Sequence, residues 1–151
     1  MEFYLLIPVI EVAFCVGLLV VLMTSGKRHI ARRPFAMFLV LMAFWGVFVF
    51  MMRFSRTMED ALLWEKFILG AILTASLLFF QFSISLTSSR VSVKIMIPLY
   101  TAFFLVMALI PTNFVVRGMQ AMWYGKAPVV GPAFPLFVLC AYVPLVFSSV
   151  M

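Results

Sequence analysis

The sequence predicts an all-α fold, a polytopic transmembrane bundle of about five helices with its N-terminus outside. Of the 151 residues, 66% are hydrophobic and 11% are charged, and the mean hydropathy is +1.22. A soluble domain is about half apolar and about a quarter charged. The apolar residues also form five runs near the length of about 20 residues that a helix needs to cross a bilayer. We therefore expect a single transmembrane domain over residues 1–151, located in the cell membrane as a multi-pass protein.

The five predicted helices follow one another along the chain. The first is expected to be retained, because Glu2 stands where a signal peptide would have a basic leading region. The second begins behind Pro34, which suits a first helical position. The third begins at a capping-box pattern, in which Thr57 precedes Asp60 by three residues. The predicted spans are 3–23, 35–52, 58–87, 95–110 and 133–151.

Basic residues between the apolar runs predict the orientation. Four of them crowd the first connection, namely Lys27, Arg28, Arg32 and Arg33. Basic connections remain cytoplasmic, so the first connection and the third, which is also basic, are expected inside. The N-terminus then lies outside and the fifth helix ends inside. That helix ends without a flanking charge, and we expect the chain to be the N-terminal part of a longer protein.

The longest connection covers residues 111–132, and we predict a surface loop there. The alternative is a lid along the outer membrane face, because Trp123 and Tyr124 suit a membrane interface. The outer turns of the third helix, including Trp64 and Glu65, are expected at the level of the outer headgroups. Three prolines are expected to bend or end helices: Pro98, Pro111 and Pro144.

Glu11 is the clearest ionisable residue inside a predicted span. It lies about 12 Å along the first helix from its start, too deep for a short side chain to reach the headgroups. Such a residue normally faces protein or water and is a candidate for function. Two interpretations remain open: a ligand contact or proton-sensitive switch, and a neutral carboxyl that packs against a neighbouring helix.

The third predicted helix carries polar residues on two opposite faces, which predicts a central position in the bundle. Packing between helices is the favoured role of these residues, although at Gln81 packing is compatible with ligand binding. One face contains Gly70, Thr74, Gln81 and Ser85, and the other contains Ser76, Ser83 and Thr87. The candidate residues for sensing a signal or ligand are Glu11, Trp45, Trp64 and Gln81.

The sequence contains no catalytic motif that we can identify, so the chain is not expected to be an enzyme. A catalytic triad needs a histidine beside its nucleophile, and the one histidine, His29, lies in the basic connection. We expect no metal and no cofactor, and no nucleic-acid partner, because the basic residues lie between the apolar runs. Cys15 and Cys140 lack CxxC spacing and are expected to be packing residues, with a disulfide between them as the alternative.

Helices two and three carry a pattern that resembles a known family. Its elements are the runs RPFAMFL at 33–39, AFWG at 43–46, LLWEKF at 62–67 and FFQFS at 79–83. Together with Trp123, Tyr124 and Gly125 before the fifth helix, they resemble the N-terminal seven-helix sensory region of membrane histidine kinases and related sensors. About five helices are present, and the phosphoacceptor and ATP-binding domains of such kinases are absent.

The resemblance implies a sensory input module of a signal-transduction protein, such as the histidine kinase of a two-component system. Such a module would relay a signal from the outer half of the bundle to a cytoplasmic effector domain on the same chain. The lipid bilayer is the other expected partner, and a homodimer is left open. A fragment of a transporter or channel is the alternative, followed by a structural subunit of a membrane complex.

Overall fold

A computed structural model describes residues 3–25, 31–87, 92–123 and 125–150. The described chain forms five α-helices and one two-stranded sheet, so the all-α prediction is confirmed with a small β addition. The helices are α1 (Phe3–Thr24), α2 (Arg32–Phe54), α3 (Met58–Thr87), α4 (Val93–Leu109) and α5 (Phe134–Val150). The strands β1 (Val116–Met122) and β2 (Gly125–Val130) lie between α4 and α5.

Three helices are long and apolar enough to cross a membrane. These stretches are Leu6–Thr24, Arg32–Phe54 and Met58–Thr87, and an 18-residue window within each has a mean hydropathy of 2.7, 2.5 and 2.1, respectively. The other two helices, α4 and α5, are apolar but have 17 residues each. Helix α1 leaves most of its described large apolar side chains exposed, and those of α2 are mostly half-buried or exposed, whereas half of the residues in the apolar window of α3 are buried. These are features of membrane helices, because only a lipid solvent favours apolar side chains on exposed faces.

Helix α3 is the centre of the bundle, as its two polar faces predict. It packs against α2 along one side and against α5 along the other, and it also touches α4 and both strands. The main core cluster lies where α3, α4, α5 and the start of β1 meet. Its most deeply buried members are Leu73, Val106, Val115 and Val116.

The helices alternate in direction, so their ends meet at two ends of the bundle. At the hairpin end, the C-termini of α2 and α4 meet the N-termini of α1, α3 and α5, beside the two strands. At the basic end, Arg32 of α2 donates from Nη2 to the carbonyl of Met23, 2.8 Å away at the end of α1. Helix α2 begins at Arg32, three residues before the predicted span of 35–52, and the backbone N–H of Phe35 donates to the carbonyl of Ala31 over 3.2 Å.

The other helix boundaries follow local chemistry. Asp60 donates its backbone N–H to Thr57 Oγ1 over 3.0 Å, which confirms the predicted cap of α3. Ser92 caps α4 by accepting from the backbone N–H of Lys94. Helix α4 ends just before Pro111, as predicted, whereas Pro98 and Pro144 lie within α4 and α5.

The prediction of a surface loop over 111–132 is wrong, because most of this connection is an antiparallel hairpin. The register pairs Met122 with Gly125 and Val116 with Val130, and it shifts between Val116 and Gly118. The hairpin is attached to the bundle because Val115 and Val116 are fully buried in the core cluster. At its root, Gly131 donates its backbone N–H to the carbonyl of Val115 over 2.8 Å.

Two lysines hold the hairpin end together. Lys126 of β2 donates from Nζ to the backbone carbonyl and to Oγ of Ser55, at the C-terminal end of α2. Lys66 of α3 donates from Nζ to the carbonyl of Pro111, 2.8 Å away beyond α4. Both ammonium groups therefore satisfy carbonyls at helix C-termini, where the helix dipole favours positive charge.

Candidate functional site

Glu11 lies at a close contact between α1 and α2. The contact is made possible by Gly46, which is buried and has no side chain. A methyl group at Gly46 would lie 2.8 Å from Val12 Cγ2, 3.2 Å from the Pro8 carbonyl oxygen and 3.9 Å from Glu11 Oε2. The carboxylate of Glu11 thus faces the backbone of α2, and within the described residues no hydrogen bond to it is found.

Glu11 and Trp45 lie at the same depth in the bundle. Glu11 is about 12 Å along α1 from the start of that helix, and Trp45 is about 14 Å along α2 from the end of that helix. Both of these helix ends lie at the hairpin end of the bundle. Trp45 precedes Gly46, so its side chain leaves α2 about 100° away from the contact with α1. Glu11 therefore lies at the interface of α2 with α1, whereas Trp45 lies on a different face of α2.

Trp45 borders a cavity of about 380 Å³ between α2, α3 and α5, hereafter the Trp45 cavity. Its walls are mainly apolar and include Met42 and Phe79, and its floor contains the small residues Ala75 and Ala141. Among the described residues, Trp45 Nε1 is the one buried side-chain nitrogen or oxygen without a hydrogen-bond partner. An unsatisfied buried donor costs about 1–3 kcal/mol, so this N–H is unusual in a folded protein.

Ser76 also borders the Trp45 cavity, but its hydroxyl is already used. It donates to the carbonyl of Ala141 on α5 over 2.5 Å, a buried bond between two helices. The packing role expected for Ser76 is therefore seen. Most other hydroxyls of α3 bond to their own helix instead: Thr74 to Gly70, Ser83 to Phe79, and Ser85 to Gln81.

Trp64 belongs to an aromatic cluster nearer the hairpin end. Its ring lies 6.0 Å from that of Phe48 and 5.9 Å from that of Phe67, between centroids. The neighbouring residue Glu65 is 8% exposed and therefore packs inside the bundle, whereas the position of both residues at the headgroup level stays a prediction. Glu65 lies one helical turn from Ala61 and one from Leu69, both of which are buried in the same stripe.

Gln81 does not join the other candidate residues. It follows Trp64 by 17 residues on α3, which places it about 26 Å further along the helix, near the basic end. There its Nε2 donates to the hydroxyl of Tyr100 on α4 over 2.8 Å. Gln81 also borders a shallow pocket with Arg33 and Pro34. Placing Gln81 in one site with Glu11 is therefore wrong, and its visible role is to connect α3 with α4.

The remaining candidate residues divide between described and undescribed parts of the chain. Lys27, Arg28, His29 and Tyr124 lie outside the described residues. Cys15 and Cys140 are both free and buried, which agrees with the packing role. Within the described ranges, no group of three or more potential metal ligands occurs.

Three features of the site region were missed at the level of sequence: the burial of Glu65, the partner Tyr100, and the bond between Lys126 and Ser55. The spacing of Glu65 from Ala61 and Leu69 is the signal that predicts its burial. Tyr100 and Ser55 could not be recognised as partners, because these bonds join different helices and strands.

Comparison of the chain with protein-family models, with curated proteins and with solved structures finds no match.

Proposed function

We propose that this chain is a membrane-embedded sensory module, in which a signal received at the level of Glu11 and Trp45 changes the packing of the helices. An effector domain in the cytoplasm would read that change, as in the membrane histidine kinases that the sequence resembles. The chain itself would perform no catalysis. A homodimer belongs to the same proposal.

The observation that carries the proposal is the position of the Glu11 carboxylate at the tight contact between α1 and α2. A carboxylate inside an apolar helix pair is costly when charged, and it normally marks a functional position in a membrane protein. The two helices pack tightly here, because the Pro8 carbonyl oxygen of α1 lies 3.2 Å from the position that a methyl group on Gly46 would occupy. A change in the charge or partner of Glu11 therefore alters the spacing of these two helices.

An aromatic row offers a physical connection from α2 to the central helix. The ring of Phe48 lies 5.5 Å from that of Phe67, and further along the interface Phe38 lies 5.9 Å from Phe79. Near the basic end, Phe35 lies 5.0 Å from Phe82. Because close-packed side chains move together, a displacement of α2 would also move α3. Shifts of about 1–2 Å between helices are sufficient for signalling in other proteins.

The proposed orientation places the hairpin end outside the cell and the basic end inside. Arg32 and Arg33 in the first turn of α2 lie at the same end of the bundle as Lys94 in the first turn of α4. The sequence between α1 and α2 and between α3 and α4 is basic and contains no acidic residue, whereas Glu59 and Asp60 accompany the arginines between α2 and α3, and this difference supports the orientation. A signal that enters at the hairpin half would then be passed toward the cytoplasm.

A distance measurement tests the sensory role. Spin labels replace Met23 at the end of α1 and Leu86 at the end of α3, both of which are exposed. We expect Glu11→Gln to shift the distance distribution between the labels by about 1–2 Å in lipid nanodiscs. The matched control is Glu59→Gln, which neutralises an exposed carboxylate at the start of α3. The proposal fails if the two substitutions give the same distribution.

A further inference from the structure

A pocket of about 310 Å³ opens at the basic end of the bundle, hereafter the Arg33 pocket. It lies between the first turns of α2, the last turns of α3 and the start of α4. Its polar lining residues are Arg33, Gln81 and Ser85, and its apolar lining includes Met37 and Ile84. The pocket therefore combines a cation, two polar groups and an apolar wall.

The positive charge of Arg33 is not neutralised by the protein. Its side chain is exposed, and within the described ranges it makes no hydrogen bond or ion pair. The described carboxylates lie in α1 and in the first turns of α3, and the last of them, Glu65, precedes Gln81 by about 24 Å along α3. The connecting sequences 26–30 and 88–91 contain no acidic residue either. The guanidinium group is therefore available to an anion from outside the chain.

The polar groups around Arg33 are engaged in bonds that fix the pocket. Arg32 donates to a carbonyl at the end of α1 over 2.8 Å, so its guanidinium serves the contact between α1 and α2. Gln81 donates to the hydroxyl of Tyr100 over 2.8 Å and thereby links α3 with α4 beside the pocket. Ser85 donates to the carbonyl of Gln81 over 2.8 Å. None of these bonds uses the charge of Arg33.

The apolar wall distinguishes a lipid from a soluble anion. Met37 lies about 6 Å further along α2 than Arg33, toward the middle of the bundle, and it is 58% exposed. Ile84 of α3 and Met96 of α4 complete this wall. A phospholipid has its charged headgroup at the membrane surface and its acyl chains along the helices, so it can contact both parts of the pocket. A soluble anion would contact only the cation.

We infer that the Arg33 pocket binds an anionic phospholipid from the leaflet at the basic end. Arg33 donates hydrogen bonds to the phosphodiester, and the acyl chains lie against Met37, Ile84 and Met96. The fork of donors on a guanidinium matches two phosphate oxygens, which gives a stronger contact than a single point charge. The bound lipid contacts α2, α3 and α4 together. This inference goes beyond the sensory function and does not depend on it.

Native mass spectrometry of the detergent-solubilised protein tests the inference. The probes are phosphatidylglycerol and phosphatidylcholine with identical dioleoyl chains, and the apparent Kd of the first bound lipid is measured for each. Phosphatidylglycerol should bind about fivefold more tightly, because Arg33 repels the choline ammonium group; one basic side chain near a lipid headgroup contributes about 1 kcal/mol. Equal affinities for the two lipids would overturn the inference.

Two variants with the same loss of charge locate the headgroup. Arg33→Gln removes the donor fork from the pocket and should weaken phosphatidylglycerol binding by about tenfold. Lys94→Gln is the matched control, because Lys94 is exposed at the same end of the bundle and does not line the pocket. It should weaken binding by about twofold at most. Equal losses in the two variants would overturn the site.

A second pair of variants adds a negative charge inside or outside the pocket. Ser85→Glu places a carboxylate in the pocket, where it competes with the lipid phosphate for Arg33, so binding should fall by about tenfold. Leu86→Glu adds the same charge at an exposed position outside the pocket and should have a smaller effect. Equal effects of the two folded variants would also overturn the site. If Ser85→Glu does not fold, the pair Arg33→Gln and Lys94→Gln still decides.

Competition with inorganic phosphate distinguishes a lipid headgroup from a free anion. A large excess of inorganic phosphate should leave phosphatidylglycerol bound, because phosphate has no acyl chain to contact Met37, Ile84 and Met96. Displacement of the lipid by phosphate, with no displacement by the same ionic strength of acetate, would show that the pocket takes a soluble anion. That result would overturn the assignment to a lipid.

Discussion

Replacing Gly46 with alanine adds one methyl group at the close contact between α1 and α2. The new carbon would lie 2.8 Å from Val12 Cγ2 and 3.2 Å from the carbonyl oxygen of Pro8. The carbonyl cannot rotate away, and valine has one strongly preferred side-chain rotamer in a helix. The two helices therefore have to separate. Overpacking of this kind costs about 1–3 kcal/mol.

The helix propensity of alanine works in the opposite direction and has to be removed from the comparison. Alanine is favoured over glycine by about 1 kcal/mol in a helix interior. Gly17→Ala on α1 gives this gain without a clash, because nothing lies within 4 Å of its added methyl group. We expect Gly46→Ala to be about 1–3 kcal/mol less stable than Gly17→Ala.

The free energy of unfolding in bicelles, measured by steric trapping, gives the difference between these two variants. Cross-linking between cysteines placed on α1 and α2 would report the expected separation of the helices in Gly46→Ala. Equal stability of the two alanine variants would refute the tight contact between α1 and α2, and with it the setting of Glu11.

Other substitutions test the remaining contacts through the same unfolding free energy. Ser76→Ala removes the hydrogen bond from α3 to α5 and should lower the unfolding free energy by about 0.6 kcal/mol, and at most by about 1.7 kcal/mol. Ser83→Ala is the control and should cost less, because the hydroxyl of Ser83 bonds within α3. Equal losses would contradict this assignment. Gly131→Ala should destabilise by about 3 kcal/mol or more, because its methyl group would overlap with the backbone carbonyl of Phe114, whereas the methyl group of Gly118→Ala meets no atom within 4 Å. Lys126→Met should cost about 1 kcal/mol by freeing the carbonyl at the end of α2, and an unchanged stability would show that bond to be unimportant.

The helices could be predicted because their causes are local. Apolar runs separated by basic or acidic connections gave all five helices within about three residues of their observed ends. The cap at Thr57 depends on four consecutive residues, so it could also be predicted from the sequence. The start of α2 at Arg32 was not predicted, because Pro34, which is typical of a first helical position, lies within the first turn instead.

The hairpin was missed because its stability comes from elsewhere in the fold. Its strands contain Gly118 and Pro128, residues that normally weaken a strand. Pro128 is tolerated because β2 pairs on one side only, with β1. The burial of Val115 and Val116 against the core cluster then holds the connection in place. No local pattern in 111–132 carries that information.

The candidate site was partly predictable. Glu11 stood out because a charge inside an apolar run is costly, and the structure places it against α2. Gln81 was grouped with it by residue type alone, whereas helix length separates the two along the bundle. The unpaired N–H of Trp45 arises from the arrangement of three helices, so no sequence pattern could reveal it.

The central claim is that a change at Glu11, in the contact between α1 and α2, alters how the helices of the bundle pack. Spin labels at Leu86 and Phe147, on exposed positions near the ends of α3 and α5, report the distance between the two helices that border the Trp45 cavity. Glu11→Gln is expected to shift that distance by about 1–2 Å in lipid nanodiscs, and the control Glu59→Gln is expected to leave it unchanged. An identical distance distribution in the unsubstituted protein and in Glu11→Gln would contradict the claim.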